Sequence, residues 1–331
     1  MKFPVSLDHF LLPPSPLRTL WSYSEWALKQ LYYFNLSTFF FTLSFLTSSF
    51  WDKKFQFLDA CAEGKYEVVK SMLQSHKTNV NIQDENNFGN TPLFQASYFG
   101  HIKVVELLLS DKRTQINKVQ NNGGSSFYIA CQQGHLEIVK LFLKVPHLQI
   151  NQTTNDAATP FYIACQQGHA EIVKLLLKDP RVEINKARYD VTPFYIACLN
   201  GHIEVVNLLL SDIRTDTLRE RATGGTPFYV ACQNGHLDVV KHLLADDRRV
   251  NINQQWQNRL TPLDIAKQRC TSVEKFEWET DEEFKKVKEN CPFIVELIEQ
   301  YLKNPERIKM RLKNELKLPS KIFFHFLFFP Q

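Results

Sequence analysis

The chain has 331 residues, of which 39 are Lys or Arg and 35 are Asp or Glu, giving a formal net charge of +4. The positive excess lies at the C-terminus, because residues 51–303 carry 30 basic and 31 acidic residues whereas residues 304–331 carry six basic and two acidic ones. A body with a net charge of −1 lacks the basic face that binds a nucleic-acid backbone, so we expect no nucleic-acid partner.

Residues 1–50 are a Phe-rich N-terminal segment, and residues 31–51 within and beside it carry no charge. As a helix, this uncharged stretch would be about 31 Å long, close to the hydrocarbon thickness of a bilayer. Eight of its residues are Asn, Ser or Thr, which makes the free energy of membrane insertion marginal. Three alternatives stay open: a single membrane anchor, a soluble helix packed on the following segment, and a flexible segment or a wrongly assigned translation start.

Residues 51–303 contain a motif that recurs six times, in which a Ser or Thr is followed by a short apolar stretch, an Ala and a small residue. Five copies continue into a Gly-His pair, and the sixth copy is degenerate. The first residues of successive copies are 34, 34, 33, 34 and 35 positions apart, a period typical of stacked repeat arrays. The copies begin at Thr91, Ser125, Thr159, Thr192, Thr226 and Thr261.

Each repeat is predicted to be a short helix, a tight turn and a second helix. The hydroxyl of Thr159 can cap the first helix, and Pro160 stands at the first helical position, where a missing N–H costs nothing. Gly168 suits the left-handed conformation that ends this helix. The apolar residues of 172–177 then form one face of the second helix. Segments rich in Asn, Asp and Gly between the repeats predict loops that turn back as hairpins.

These repeats resemble the ankyrin repeat, because Thr91-Pro-Leu-Phe-Gln-Ala96 is similar to the family's Thr-Pro-Leu-His-x-Ala and Gly134-His135-Leu-Glu-Ile-Val139 to its Gly-His-x-x-x-Val. The resemblance covers about residues 55–303 and implies an all-α ankyrin-repeat solenoid of about seven helix-turn-helix units with short β-hairpin loops. Three features depart from the family: aromatic residues replace the motif His, Ser126 replaces the motif Pro, and the connection after the second helix lacks the usual Gly.

The two ends of the array are predicted to be atypical capping repeats. The first unit, Phe57–Cys61 and its second helix, lacks the Thr-Pro and the His. The last unit is interrupted by a charged insertion, Cys270 to Asn290, and its second helix is predicted to resume at Pro292. Beyond it, residues 304–331 form a basic and aromatic tail. This tail is interpreted either as a segment lying on an anionic membrane or, preferably, as a solvated basic helix whose apolar end docks on the array or aggregates.

Catalysis has little support in the sequence. Five cysteines occupy equivalent places about one repeat apart, too far for disulfides, so we expect buried thiols in a reducing, cytoplasmic compartment. Neither a close Cys/His cluster, a phosphate-binding Gly-rich loop nor a hydrolase motif is present, and the recurring His is expected to bond turn backbone. We therefore expect no enzyme, no cofactor and no metal.

The resemblance implies a protein partner bound on the concave face, which is built from the first helices and the hairpin tips. It assigns recognition to the two residues before each turn Gly and to the tips. Two groups of these residues are rich in the side chains typical of interfaces. The first comprises Phe88, Tyr98 and Phe99, and the second comprises Arg188, Tyr189 and Leu199. Packing of Tyr98 and Phe99 against the N-terminal segment explains the first group equally well. The identity of the partner and the oligomeric state stay open. The candidate binding residues are Phe88, Tyr98, Phe99, Gln132, Gln133, Gln166, Gln167, Arg188, Tyr189, Leu199, Asn200, Gln233 and Asn234.

Overall fold

The computed structural model describes residues 53–318 apart from residues 86, 87, 223, 249, 257, 258 and 278. This described part contains fifteen helices, and its only β-structure is three isolated bridges at the hairpin loops. The helices are α1 Lys53–Ala62, α2 Tyr66–Leu73, α3 Pro92–Tyr98, α4 Ile102–Ser110, α5 Ser126–Gln133, α6 Leu136–Leu143, α7 Pro160–Gln167, α8 Ala170–Leu177, α9 Pro193–Leu199, α10 Ile203–Ser211, α11 Pro227–Gln233, α12 Leu237–Ala245, α13 Pro262–Thr271, α14 Asp281–Lys303 and α15 Pro305–Glu315.

The recurring Ser or Thr starts the first helix of each repeat from the second to the seventh. Its hydroxyl accepts a hydrogen bond from the backbone N–H three residues later, at 3.0 to 3.2 Å in all six copies. Ser125 caps α5 in the same way although Ser126 stands where the other copies have Pro. The hydroxyl alone is therefore sufficient to place the helix start, and the predicted cap is confirmed.

Helices α1 to α14 form seven pairs that stack in sequence order. Each first helix packs on the first helix of the next pair, and each second helix packs on the next second helix. The core runs along the stack between the two layers, and the small residue of the motif lies at its centre. The thiols there are free, and burial raises the pKa of Cys165 well above its ordinary value. The prediction that the repeated cysteines are buried is confirmed for Cys61, Cys131, Cys165, Cys198 and Cys232.

The hairpin tips explain why one repeat is a residue shorter than its neighbours. Arg188 and Val191 exchange both backbone hydrogen bonds, at 3.0 Å each, and the two residues between them have positive φ, 47° at Tyr189 and 63° at Asp190. This is the two-residue type I′ turn, in which both central residues are left-handed. The other tips use longer turns, so the 33-residue spacing between Thr159 and Thr192 follows from this one.

The last repeat departs from the sequence prediction. Helix α14 does not resume at Pro292 but begins eleven residues earlier, at Asp281, and continues through this proline. A capping box starts it, because Thr280 and Glu283 each accept the other's backbone N–H. The proline removes one hydrogen bond, and the long apolar face of the helix offsets that loss. The buried residues of that face are Val287, Cys291, Ile294, Leu297 and Ile298.

Helix α15, within the basic tail segment, packs against α12 and α14. Ile308 and Leu312, one turn apart, are its buried residues. Lys309 and Lys313 point the same way and place their ammonium groups 2.9 and 2.7 Å from a carboxylate oxygen of Asp247. Although burial raises the pKa of Asp247, the hydrogen bonds and charges of these two lysines lower it to about 2. The basic residues of this helix are thus ion-paired to the array as well as solvated.

Candidate partner-binding surface

A hydrogen bond between repeats fixes the backbone beneath the candidate surface. In each Gly-His pair the His Nε2 donates to a carbonyl of the preceding repeat, at 2.7 to 2.9 Å. The expected bond to the backbone of the turn is therefore replaced by a bond to the end of a first helix in the preceding repeat. From the second bond onwards, the acceptor is the first residue of the pair before the turn Gly. The acceptors are the carbonyls of Ala62, Tyr98, Gln132, Gln166 and Leu199.

The turn glycines are required for two reasons. Gly201 has φ of 71°, a left-handed conformation that side chains disfavour. A Cβ at this position would also lie 2.4 Å from the ring of His236, which covers the turn from the next repeat. The same arrangement recurs at Gly64, Gly100, Gly134 and Gly168. The Gly-His pair consequently lets successive repeats pack closely, because each glycine makes room for the His of the following repeat.

The stacked rings are held in the neutral state at the C-terminal end of the ladder. Burial lowers the pKa of His202 and lowers that of His236 to about 4, and the backbone hydrogen bonds oppose this shift only in part. A neutral ring whose Nε2 faces a carbonyl must carry its proton on Nε2. These histidines are thus structural donors.

The predicted pairs before the turn glycines divide into an inner and an outer position. The first residue of each pair is half-buried, and the second is exposed in four of the five pairs. Because the first residue's backbone carbonyl is bonded to His, the main chain stays fixed while both side chains are free to differ between repeats. The half-buried residues are Tyr98, Gln132, Gln166, Leu199 and Gln233; the exposed ones are Phe99, Gln133, Gln167 and Asn200, with Asn234 half-buried.

Three of the predicted residues in these pairs also serve the stack. The side-chain amide of Asn200 donates to the carbonyl of Gln166 at 2.9 Å, and that of Asn234 donates to the carbonyl of Leu199 at 2.8 Å. The half-buried side chain of Leu199 packs against the core. A substitution at Asn200, Asn234 or Leu199 would therefore disturb the array as well as any partner contact.

The first aromatic group lies at the second repeat. The rings of Tyr98 and Phe99 are edge to face with centroids 4.8 Å apart, and the ring of Phe99 lies 6.2 Å from that of His101. Phe88, at the tip of the same repeat, is 62% exposed and has φ of 55°. The alternative that Tyr98 and Phe99 pack against residues 1–50 concerns a segment outside the described residues.

The second group is built on the tyrosine that replaces the family's motif His. The guanidinium of Arg188 lies 5.9 Å from the ring centroid of Tyr162 and 5.7 Å from that of Tyr189, and it forms an ion pair with Asp156. Burial raises the pKa of Tyr162 to about 12. Tyr189 is 63% exposed at the tip. Arg188 and Tyr189 are adjacent members of the predicted second group, whose third member, Leu199, lies at the end of α9.

The same contact recurs along the array, and the sequence interpretation missed it. The tyrosine of one repeat receives the residue that opens the hairpin turn of the next: Arg221 lies 6.0 Å from Tyr195, and the ring of Trp256 lies 4.9 Å from that of Tyr229. A Tyr in the motif followed about 26 residues later by Arg or Trp was the available signal. These contacts tie the base of each tip to the preceding first helix.

A second feature that the sequence interpretation missed is an Asp–Arg ion pair in the loop that lacks the family's Gly. Asp and Arg two residues apart follow the second helix of four repeats and form ion pairs at 2.6 to 2.9 Å. In three of the four repeats the guanidinium also donates to a carbonyl of the preceding repeat, as from Arg113 to Leu73 at 2.7 Å and from Arg214 to Leu177 at 2.6 Å. The longer connection is therefore pinned by a side chain. The four pairs are Asp111 and Arg113, Asp179 and Arg181, Asp212 and Arg214, and Asp246 and Arg248.

Two features of the described residues bear on other functions. They contain no group of three or more His, Cys, Asp or Glu side chains placed to hold a metal ion. None of their helices is both long enough and apolar enough to cross a bilayer. The candidate membrane anchor, residues 31–51, lies outside the described part of the chain.

Comparisons with known proteins agree with the architecture. A family model described as ankyrin repeats in three copies matches residues 57–156 and 127–220, and one described as ankyrin repeats in many copies matches residues 213–266. The chain matches none of the curated proteins with significant similarity.

Solved ankyrin repeat domains share the fold. The ankyrin repeat domain of human ASB11 is 22% identical with a TM-score of 0.55, and the match covers 72% of this chain and 96% of that one. The ankyrin repeat domain of Bcl-3, a member of the IκB family, is 21% identical with a TM-score of 0.55, covering 63% of this chain and 92% of that one. The predicted all-α ankyrin solenoid is thereby confirmed, and the chain belongs to the ankyrin repeat family.

Proposed function

We propose that this protein is a non-enzymatic scaffold that binds a protein partner along its concave face, through side chains at the ends of the first helices and at the hairpin tips. Ankyrin repeats generally mediate protein–protein interaction, and this surface is where the repeats differ from one another. The observation that carries the proposal is that one set of residues in each repeat builds the array and a different set is available for binding. The recurring Thr, Ala, Cys and His residues are buried or bonded across repeats. The pairs before the turn glycines read Tyr-Phe, Gln-Gln, Gln-Gln, Leu-Asn and Gln-Asn, and their side chains are half-buried or exposed.

The composition of the exposed set supports a protein partner. Phe88 and Tyr189 stand at tips with more than half of their surface exposed, and Phe99 is 49% exposed. Large exposed aromatic residues next to an Arg are typical of interface hot spots. The glutamines between them, Gln133 and Gln167, add adaptable hydrogen-bonding groups.

The non-enzymatic part of the proposal is supported by the roles of the residues that could have been catalytic. The His rings are occupied by inter-repeat hydrogen bonds, and the repeated thiols are buried with raised pKa values, which suppresses the nucleophilic thiolate. A cytoplasmic location is proposed because buried free thiols suit a reducing compartment.

The proposal is tested by photo-crosslinking from the full-length protein. A photoreactive residue at Gln167 should capture a discrete protein in extracts. The matched control carries the same residue at Lys174, which is exposed on the second helix of the same repeat and so lies off the concave face. Capture from Gln167 but not from Lys174 supports the proposal, whereas equal capture from both positions contradicts it.

Membrane anchoring through residues 31–51 remains the second proposal, supported by the length of that uncharged stretch. Fractionation compares the full chain with a form beginning at Trp51. An anchor predicts that only the full chain enters the membrane fraction. A scaffold without an anchor predicts that both forms stay in the supernatant.

A further inference from the structure

A ladder of asparagine side chains joins the loops of successive repeats. Asn151 illustrates it: its amide donates to the carbonyl of Arg181 at 2.7 Å, and its oxygen accepts the backbone N–H of Glu183 at 2.9 Å. One asparagine thus ties two backbone groups of the following loop. The same pair of bonds is made by Asn81, Asn117 and Asn185.

The ladder stops at the sixth repeat. Leu218 occupies the position of Asn185, three residues before the start of the hairpin turn, and a leucine can neither donate nor accept these bonds. The preceding position changes as well, since Thr217 stands where Ile150 and Ile184 are buried in the two earlier repeats. This loop therefore has neither the asparagine that bonds the following loop nor the buried isoleucine that packs between neighbouring loops.

A cavity of about 450 Å³ lies at this break. Apolar residues of α11, α12 and the two loops line it, among them Leu218, Phe228, Leu243 and Val250. Polar and charged residues line it as well, among them Thr217, Arg219, Glu220, Asp246 and Arg248. An engineered apolar cavity of about 150 Å³ takes one benzene molecule, so this space is large enough for roughly two or three phenyl rings. Leu218 is half exposed, which leaves the cavity accessible.

The last described helix, α15, packs on α12, which contributes Leu243 to the cavity wall. Lys313 lies 2.7 Å from Asp247, whose neighbours in the chain, Asp246 and Arg248, both line the cavity. Residues 319–331 follow, and they contain Ile322-Phe-Phe-His-Phe-Leu-Phe-Phe329, in which seven of eight residues are apolar. Thirteen extended residues span up to about 43 Å, so the apolar stretch can reach the cavity.

We propose that the C-terminal segment, residues 322–329, docks in this cavity and fills it with phenylalanine side chains. The stretch is too apolar to be left in water without becoming an aggregation hazard, and the aliphatic and aromatic side chains in the cavity wall can pack against phenylalanine rings. The Phe-rich N-terminal segment is a weaker match, because it joins the array at α1, five repeats from the cavity. Docking places the tail across the sixth and seventh repeats.

The test is intramolecular photo-crosslinking in the full chain. A photoreactive residue at Phe326 should crosslink to residues 217–220 or 250–254 of the same molecule. The matched control places it at Met310, which is 67% exposed on α15. Crosslinks from Phe326 that map to other surfaces, to a second copy or to another protein would overturn the proposal.

A cavity-filling variant makes the test specific. Thr217→Ile with Leu218→Asn gives this loop the pair that Ile150 and Asn151 provide in the fourth repeat. It should reduce the Phe326 crosslink at least tenfold and leave the Met310 products unchanged. An undiminished Phe326 crosslink in a variant with native helix content contradicts docking in this cavity.

A second measurement holds even if that variant folds poorly. Replacing Phe323, Phe324 and Phe326 by Ser in the otherwise intact chain should speed amide hydrogen exchange in residues 217–220 and 250–254 at least tenfold, because their cover is lost. Exchange in α5 to α8 serves as the internal control and should not change. Unaltered exchange at the cavity loops would exclude the tail as their cover.

Discussion

Between α5 and α10 each repeat is joined to the next by the same His-to-carbonyl hydrogen bond, whereas the last repeat is joined by an arginine. Arg269 Nε donates to the carbonyl of Gln233 at 3.2 Å, the position at which a histidine would bond. Its guanidinium also forms a buried ion pair with Glu279 and lies 4.1 Å from the ring centroid of Phe276. The cap thus meets the same backbone requirement with a charged group.

The comparison shows what an end of the array must supply. A middle repeat covers the turn Gly of its neighbour with a His ring, whereas Gly235 is covered by Val287 of α14, and Asn290 donates to its carbonyl at 2.9 Å. The cap therefore replaces one side chain by several that come from a long helix. We expect the cap to depend on a few irreplaceable residues and the middle repeats to share their stability among equivalent ones.

The substitution that should destabilise the array most is at Arg269 in the last repeat. Arg269→Ala should lower the free energy of unfolding by about 3–5 kcal/mol, because it leaves the buried carboxylate of Glu279 without its partner. Urea denaturation of the full chain measures this loss. Arg269→Met with Glu279→Gln should recover much of it, since neither product is charged. A double variant as unstable as Arg269→Ala would show that packing, and not the unpaired charge, sets the cost.

A smaller loss of stability is expected where a histidine ring packs on a turn glycine within the regular repeats. Gly201→Ala should lower the free energy of unfolding by about 3 kcal/mol, because the new Cβ meets the His236 ring and the backbone is left-handed. Introduced into His236→Ala, the same change should cost only the backbone part, about 1–2 kcal/mol. Equal costs in the two backgrounds, measured by urea denaturation, would contradict the close packing of ring on glycine.

The histidine ladder also predicts a pH dependence. The pKa of His236 is about 4 in the folded protein, below the ordinary value of 6.5, so protonation favours the unfolded chain. Its contribution to stability is complete above about pH 6.5 and is lost as the pH falls towards 4. Urea midpoints measured across this range should fall less steeply in His236→Gln. An identical slope in the variant would show that His236 does not carry this dependence.

The smallest change in the free energy of unfolding is expected at the type I′ turn. Asp190→Gly should raise the free energy of unfolding by about 0.5–1 kcal/mol, because glycine adopts the left-handed conformation without strain. Thermal unfolding measures the gain. Ser126→Gly is a control at a helical position, where the same residue should destabilise. A destabilised Asp190→Gly variant would indicate that the Asp190 side chain supports the tip.

The sequence allowed the architecture to be predicted because each structural residue is repeated. Thr159 caps the helix that follows it and Gly168 ends that helix, roles that any single repeat reveals, and six copies in register exclude coincidence. The inter-repeat target of the His was not foreseen, because the partner lies about 37 residues away in the chain. The start of α14 was also missed, since Pro292 looked like a helix start and the capping box at Thr280 gave a weaker signal.

The candidate surface was only partly predictable. The pattern identified which residues vary between repeats. It could not show that the amide of Asn200 is bonded to the carbonyl of Gln166, because two residues 34 positions apart meet only in the stacked array. Nor could it show the cavity at Leu218, which becomes visible only when the asparagine ladder of the neighbouring loops is seen.

The repeated residues build the array, and we propose that the variable exposed residues bind the partner. The most direct test combines Gln133→Ala, Gln167→Ala and Tyr189→Ala, which leave the inter-repeat bonds intact, and measures both urea stability and affinity for the protein captured from Gln167. We predict a free energy of unfolding unchanged within about 1 kcal/mol and a loss of binding of about 2 kcal/mol or more. Unchanged affinity in a stably folded variant would contradict the account.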